Sequence, residues 1–273
     1  MCRYLKVSCS GYYKYCGRKP SQRQLTHQIF AQQVKHEFEA SKQVYGSPRI
    51  HKELKNKNIN CSRIFVAKLM KEQSLKSKLT PKFTHTTDSK HGYLISDNLL
   101  DRNFNPPAPS MVWVSDITYI HTLQGWCYLT IVMDLFDRKI IGWATSSTLE
   151  AEQTSVKAMK MALLHRRATP DMIIHSDRGS QYACKEFRNL TKHFRPSMSR
   201  KGNCWDNAVA ESFFKSLKFE WINDYRFSTI KHASTVLFEY IEAWYNSTRL
   251  HSTLNYLSPN SFMEQYLKQT IAA

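Results

Sequence analysis

The sequence lacks the features that mark secreted and membrane proteins. No run approaches the roughly 18 apolar residues that a transmembrane helix needs. The N-terminus has no apolar core of a signal peptide, so the sequence predicts a protein that is not secreted. The 7 cysteines are odd in number, and no two have CxxC spacing. They argue against a disulfide framework and a structural zinc site, and predict reduced thiols in a soluble cytoplasmic protein.

Acidic residues are scarce in the first third of the chain. Residues 1–90 hold 19 Lys or Arg and 5 Asp or Glu, whereas residues 91–273 hold 20 and 17. The 273 residues are enough for roughly two domains, and a 42% hydrophobic content allows a packed core. A basic module ahead of a nearly neutral remainder indicates binding to a polyanion. The alternative is that the excess lysine only keeps the chain soluble.

The basic region predicts three helices. Residues 22–43 carry apolar side chains at helical spacing and predict an amphipathic helix. Ser47 as N-cap and Pro48 as the first helical residue predict the second helix. Ser62 caps the third, which reaches about Gln73 and turns apolar side chains inward.

Two of these helices are short, joined by a tight turn and rich in basic residues. Arg49, Arg63 and Lys68 lie on them, a pattern typical of a helix-turn-helix that binds DNA. The alternative is a plain helical hairpin. We assign residues 1–78 to this basic helical domain and the proline-containing residues 79–110 to a linker or extended arm.

The remainder predicts an α/β domain. Strand-forming residues with turns between them predict an antiparallel meander at residues 111–122, 126–133 and 139–145. Alternating elements follow: helices at 150–165, 181–193 and 206–220 (capped by Asp206), strands at 171–175 and 196–199, and final helices at 229–245 and 260–267. Three antiparallel strands followed by alternating helices and strands is the order of an RNase H-like fold. We expect a core at residues 111–225 and a C-terminal helical extension at 226–273.

Three acids occupy positions at which such a fold could use them. Asp116 lies within the first strand, Asp177 closes the short fourth strand, and Glu211 lies in the helix predicted to cross them. In this fold the first and fourth strands are neighbours, so the two aspartates can stand side by side. Three oxygen ligands suit Mg²⁺ or Mn²⁺. Two such ions can activate an attacking oxygen and stabilise the leaving one in displacement at phosphorus.

Two lysines extend this candidate site. Lys215 and Lys218 follow Glu211 by four and seven residues, so all three share one helix face. Lysines beside metal-binding carboxylates would neutralise DNA phosphates at the point of cleavage. The alternative is an ordinary Glu–Lys helix pair, which the two aspartates placed by the fold make the weaker interpretation.

Several long motifs resemble the DDE transposases of insertion sequences. The match is closest to the second-reading-frame proteins of insertion sequence family three, which are relatives of retroviral integrases. The motifs are YGSPRIH at residues 45–51, VSDITYI at 114–120, GW at 125–126, DLF at 134–136, HSDRGSQY at 175–182, SMSRKGNCWDNA at 197–208, ESFF at 211–214 and YNSTRLHS at 245–252. The resemblance spans nearly the whole chain and includes the start of the helix-turn-helix.

The resemblance implies an RNase H-like integrase catalytic core and an activity. Members cleave the ends of the element in a metal-dependent reaction and then transfer the strand, which amounts to DNA recombination and integration. The family triad falls on Asp116, Asp177 and Glu211. Synapsis of two DNA ends implies a homo-oligomer on double-stranded DNA in the nucleoid. Members are usually joined by frameshifting to an upstream-frame DNA-binding protein, so that protein is a further expected partner.

One spacing departs from the family pattern. Asp177 and Glu211 are 34 positions apart, about two residues fewer than is usual in the family. The shortfall lies around residues 192–195. Either the preceding helix ends early and Glu211 keeps its place, or Glu211 is displaced. A displacement of about 1 Å could cost about 100-fold in rate.

Other residues are secondary candidates. Arg200 and Lys201, beside Gly202, are expected in a mobile loop that contacts DNA, and Asn207 either orients Glu211 or touches DNA. Four further residues are left open or given structural roles. Asp134 and Asp137 suit a turn or strand end, His175 is structural or supports the site, and Arg249 binds DNA or locks the C-terminal helices.

Three functions therefore compete. The first is a transposase that joins DNA ends, the second is an RNase H-like nuclease that only hydrolyses, and the third is a DNA-binding regulator or inactive remnant. Strand-transfer products distinguish the first from the others. Binding that survives Asp116→Asn, with no products from the wild type, distinguishes the third.

Overall fold

The chain folds into two compact units, Met1–Lys78 and Leu79–Ala273. The computed structural model describes Cys2 and residues 4–78, 96–201 and 203–272. Most of the predicted linker, residues 79–95, lies outside the described residues. The first unit is helical and the second is α/β, as the sequence predicts.

Four helices build the first unit: α1 (Cys9–Cys16), α2 (Gln22–Ala40), α3 (Ser47–Asn56) and α4 (Arg63–Glu72). Apolar side chains of α2, α3 and α4 form its core, with Val34, Ile50, Leu54, Val66 and Leu69 fully buried. These three helices contact one another, as a helix-turn-helix with a supporting helix requires.

The caps of these helices test the sequence predictions. The Ser62 hydroxyl accepts a hydrogen bond from the Phe65 N–H at 3.1 Å, so its predicted cap of α4 is confirmed. The predicted Ser47 cap is wrong by one residue, because α3 begins at Ser47 and Gly46 occupies the cap. Pro48 then falls in the first turn, where its missing N–H costs nothing.

A five-stranded sheet forms the second unit: β1 (Val112–Thr122), β2 (Gly125–Asp134), β3 (Ile140–Ser146), β4 (Ile173–Ser176) and β5 (Arg195–Met198). The strand order is β3-β2-β1-β4-β5. The first three strands pair antiparallel, whereas β4 pairs parallel with both β1 and β5. This is the predicted RNase H-like topology.

The helices of the second unit are α5 (Ser155–His165), α6 (Ser180–Ala183), α7 (Lys185–Leu190), α8 (Ala208–Glu220), α9 (Ile230–Phe238) and α10 (Pro259–Ala272). The chain continues from α9 through a π-helical segment, Glu239–Tyr245. The helix predicted at 181–193 is wrong in detail, because it is split in two and ends at Leu190. The helix predicted from residue 150 begins only at Ser155.

Helix α5 packs closely on β3 at Gly142. A Cβ atom at this position would lie 2.2 Å from the Ala158 carbonyl oxygen and 2.7 Å from the Ala162 nitrogen. Only glycine allows the helix and strand to approach this closely. Helix α8 contacts β1 and buries Ala210, Phe213 and Leu217.

The length of β4 shapes the site. Among the described residues, β4 pairs only with Val112, Trp113 and Val114 of β1. The next strand contact along that side of β1 is the bridge between Thr122 and Phe227. Residues 115–121 therefore form what we call the open edge of β1.

Residues 96–110 pack against the core as an extended segment. The N–H groups of Leu99 and Leu100 donate to the Ser197 hydroxyl of β5, at 2.9 and 3.2 Å. The N–H of Ser110 donates to Asp134 at 2.9 Å. Across the described part of the chain, no helix has the length and apolar character needed to span a membrane.

Candidate active site

Asp116 lies in β1, and Asp177 follows directly after the neighbouring strand β4. Val114 pairs with His175, so two further positions along each strand bring Asp177 level with Asp116. The Asp116 carboxylate accepts from the Ile117 N–H at 2.8 Å, and that of Asp177 from the Gly179 N–H at 2.9 Å. Burial raises the pKa of Asp116 well above its ordinary value, and the adjacent Asp177 carboxylate raises this pKa further.

Glu211 approaches the same pair from α8. It lies in the first turn of this helix, and its charge also contributes to the raised pKa of Asp116. The structure thus brings the three predicted acids into electrostatic contact at the open edge of β1. Within the described residues, no three Asp, Glu, His or Cys side chains are close enough to form a preassembled metal site. The donor set itself, three carboxylates, fits a hard divalent cation.

The short interval between Asp177 and Glu211 is absorbed before β5. Helix α7 ends at Leu190, and β5 pairs with β4 in register from Arg195 to Met198. The helix therefore ends early and the strand keeps its place, which is what the first alternative requires of the elements before Glu211.

Ser115, the neighbour of Asp116 in β1, is bonded to β2, to α6 and to the residue that precedes α8. Its hydroxyl lies 2.7 Å from the Ile131 carbonyl oxygen, to which it donates, and 2.9 Å from the Tyr182 hydroxyl of α6. Its backbone carbonyl accepts from the Asn207 amide at 3.3 Å, just before α8. Sequence reasoning missed Ser115 and Tyr182, although both lie inside the motifs and β-strand alternation turns Ser115 inward.

Asn207 is oriented toward the protein rather than toward solvent. The side chain is buried, and its amide donates a hydrogen bond to β1 at a position one turn before Glu211. This placement favours the orienting role over the predicted contact with DNA.

Lys218 is part of the site, whereas Lys215 faces solvent. The Lys218 ammonium lies 5.3 Å from the centroid of the Tyr119 ring. Burial lowers the pKa of Lys218, and the opposite charge of Asp116 partly offsets this effect. The Lys218 ammonium therefore lies over an aromatic ring and interacts with the charge of Asp116.

Arg200 is exposed and makes an ion pair with a buried carboxylate. Asp206 is fully buried and accepts from the Arg200 guanidinium at 2.7 Å and from Arg102 at 3.0 Å. These bonds, above all that from Arg200, hold the pKa of Asp206 well below its usual range. The predicted helix cap at Asp206 is wrong, because this carboxylate binds arginine and α8 begins two residues later. Lys201 is exposed, and Gly202 lies outside the described residues.

The remaining candidates have structural contacts. His175 is fully buried between the hydroxyls of Ser197 and Ser199, at 2.8 and 3.2 Å, and burial lowers its pKa to about 4. Asp134 and Asp137 both bind Arg166 at 2.7 Å, in agreement with their predicted roles at a turn and strand end.

Arg249 locks the C-terminal helices. It is buried, and its guanidinium forms two hydrogen bonds with the Glu220 carboxylate at 2.6 and 2.7 Å. The Tyr240 hydroxyl donates to the same carboxylate at 3.1 Å. Of the two roles left open by the sequence, the structure supports the lock.

The basic candidates of the first unit lie on α3 and α4. Arg63 is exposed at the start of α4, and Lys68 is exposed with an ion pair to Glu72 at 3.9 Å. The guanidinium of Arg49 lies 5.4 Å from the centroid of the Tyr45 ring.

Sequence comparison identifies known domains in both units. Family models described as "Integrase core domain" match residues 106–204 and 192–259, and a model described as "HTH-like domain" matches residues 26–83. The catalytic core domain of BIV integrase is a structural neighbour with 15% identity, a TM-score of 0.43, and coverage of 59% of this chain and 99% of that chain.

Two curated relatives resemble almost the whole chain. An uncharacterized 31 kDa protein of insertion element IS600 from Shigella sonnei is 40% identical, with coverage of 97% of this chain and 98% of its own. The transposase InsF for insertion sequence IS3A of Escherichia coli strain K12 is 40% identical, with coverage of 98% and 94%. The chain therefore belongs to the IS3 family of insertion-sequence transposases, DDE-type polynucleotidyl transferases with an integrase core.

Proposed function

We propose that Asp116, Asp177 and Glu211 are the catalytic residues with which this chain cleaves the ends of its insertion sequence and transfers the strand. The observation that carries the proposal is the strand register that sets Asp177 beside Asp116 at the open edge of β1, with Glu211 close enough to raise the pKa of Asp116. Like charges gathered in a partly buried place are costly unless a cation uses them.

The same three residues would hold two divalent ions, Mg²⁺ or Mn²⁺. When bound, such ions supply charge stabilisation at phosphorus and activation of the attacking oxygen. Ser115 and Asn207 would keep β1 and α8 aligned while DNA binds, and Gly179 would fix the Asp177 carboxylate through its N–H.

DNA would contact both units. Lys215 and Lys218 on α8, together with Arg200 and Lys201 before it, would bind phosphates near the cleaved bond. In the first unit, Arg49, Arg63 and Lys68 would bind the element ends through the helix-turn-helix. Asn207 would orient Glu211 through its hydrogen bond to β1.

We further propose a division of roles and an assembly. Residues 1–78 would recognise DNA, 79–110 would connect, 111–225 would catalyse, and 226–273 would brace the core through helices. Pairing of two ends would require a homo-oligomer, aided by the upstream-frame DNA-binding protein. The site of action would be the nucleoid in the cytoplasm.

The test is strand transfer with purified protein, Mg²⁺ and duplexes that end in the element's own terminal repeats. We expect joined products from the wild type, and a loss of at least about 100-fold in Asp116→Asn. Asp171→Asn, which removes an exposed carboxylate of the same unit, should retain wild-type activity.

Two outcomes would contradict the proposal. Cleavage of any duplex without joining would identify a hydrolytic nuclease. Absence of products from the wild type, with DNA binding equal in Asp116→Asn, would identify a DNA-binding regulator or inactive remnant.

A further inference from the structure

A groove lies beside the candidate active site at the far end of the open edge of β1. Tyr119 and His121 of β1, Lys218 of α8 and the loop residues Tyr225, Arg226 and Phe227 line it. Its volume is about 480 Å³. Sites of about 300–1,000 Å³ suit small organic groups, so one nucleotide unit fits.

Aromatic rings form part of the lining of this groove, and Trp126 lies next to it. The rings of Tyr225 and Phe227 are stacked, with an interplanar angle of 9° and centroids 5.5 Å apart. On the β1 side, Trp126 contacts the Tyr119 ring edge-on at 5.1 Å and the His121 ring at 5.3 Å. Trp126 remains 47% exposed, although burial of an indole of this size is favourable. Exposed aromatic faces at a groove suit partners that have flat rings of their own.

Positive charge accompanies the rings. Arg226 is exposed at the mouth, and the Lys218 ammonium lies over the Tyr119 ring. Lys218 also interacts electrostatically with Asp116, so this side chain belongs to both the groove and the candidate active site. Rings for bases and cations for phosphates are the two components of single-stranded nucleic acid sites, and this groove has both.

We propose that this groove binds unpaired nucleotides of the DNA strand next to the phosphate that is cleaved. A base stacks between Tyr225 and the Tyr119–Trp126 pair, while Arg226 and Lys218 bind the flanking phosphates. The proposal rests on the proposed function for the position of the cleaved phosphate. It implies that the duplex is opened at the element end, because a paired base cannot reach these rings.

Photo-crosslinking of the full chain tests the location. The probe is a blunt duplex extended by a short single-stranded thymidine tail that contains 5-iododeoxyuridine, in buffer with EDTA. We expect crosslinks at Tyr119, Trp126 or Tyr225. Crosslinks confined to residues 1–78 or to other surfaces would overturn the proposal.

Binding of the same probes tests the energetics. We expect Tyr225→Leu to weaken binding of the tailed duplex by about 5- to 150-fold, the range for one base–aromatic stack, and to leave binding of the blunt duplex unchanged. Tyr225→Phe keeps the ring and should bind like the wild type. Phe238→Leu removes a 56% exposed ring of α9 outside the groove and should also have no effect.

Equal affinity of Tyr225→Leu and Phe238→Leu for the tailed duplex would overturn the proposal, provided that both melt cooperatively like the wild type. If Tyr225→Leu is misfolded, Arg226→Gln replaces it. This variant should weaken binding of the tailed duplex more than binding of the blunt duplex. Because EDTA prevents catalysis, failure here is distinguishable from failure of strand transfer in the Asp116→Asn experiment.

Discussion

At the scale of single residues, Asp206 shows how a carboxylate can leave its expected role. Its sequence position, before an apolar helical run, predicts an N-cap. In the structure its two oxygens bind Arg200 and Arg102, which approach from the loop after β5 and from the segment before β1. The carboxylate therefore fastens the start of the loop that leads to Glu211.

We predict that Asp206→Asn lowers the free energy of unfolding by about 1.5–3 kcal/mol at pH 7, since hydrogen bonds between charged groups are lost from a fully buried side chain. The folded-state pKa of Asp206 lies below its ordinary value of 3.8. Its contribution is therefore complete above about pH 4 and is lost as the pH falls through the folded-state pKa. Urea unfolding of wild type and variant between pH 7 and pH 3 measures the difference.

The control for this experiment is Asp171→Asn, because Asp171 is exposed. Its stability should match that of the wild type across the range. If the difference in free energy of unfolding between wild type and Asp206→Asn stayed constant down to pH 3, this result would contradict the ion-pair explanation.

The residues of the site differ in how well sequence predicts them. Asp116, Asp177 and Glu211 are predictable because a strand order and a motif place each one. Ser115 and Tyr182 are not, because their hydroxyl contact joins positions 67 residues apart and a serine in a strand has no distinctive pattern. The ion pair between Arg102 and Asp206, which are 104 residues apart, was not predicted for the same reason.

At the scale of elements, the sheet was predictable and the helix boundaries were less so. β-Branched and aromatic runs separated by turns fix the five strands, and the fold order follows from them. Neither glycine nor proline marks the break between α6 and α7 at Cys184, so one continuous helix was expected there. The late start of α5 was also not predicted, because residues 151–154 form turns although their composition suits a helix.

The contact between α5 and β3 gives a prediction at this scale. Gly142→Ala should destabilise the second unit by about 1–3 kcal/mol, because the added methyl group overlaps backbone atoms of α5 that cannot rotate away. Thermal unfolding followed by near-UV circular dichroism measures this loss. The same exchange at Gly11, where the nearest atom is a side-chain carbon at 3.6 Å, should not destabilise the protein. An unchanged melting temperature in Gly142→Ala would show that α5 can move away.

At the scale of the whole molecule, the two units differ in net charge. The first 90 residues carry most of the positive excess, whereas the remainder is nearly balanced. Such a distribution concentrates long-range attraction to DNA in the helical unit. The competing explanation, solubility alone, makes no distinction among exposed lysines.

We predict that replacing Arg63 and Lys68 by Gln reduces the salt dependence of duplex binding. The slope of log affinity against log salt should become shallower by about 2, roughly one for each lost phosphate contact. Fluorescence anisotropy over a salt series measures the slope. The matched control replaces Lys157 and Lys160, two exposed lysines of α5, and should keep the wild-type slope. Equal slopes in the two double variants would favour the solubility explanation.

The early end of α7 has a consequence for how copies of such elements are sorted in genomes. A filter that scores decay by the number of residues between the second and third acids would discard this chain. In the fold, α7 ends at Leu190 before the turn that leads to β5, and β4 and β5 remain paired in register. Length is therefore a poor criterion of decay in that turn. A reading frame broken inside β4 or α8 would be a better criterion of decay, because these two elements position Asp177 and Glu211, and further copies of the element depend on that geometry.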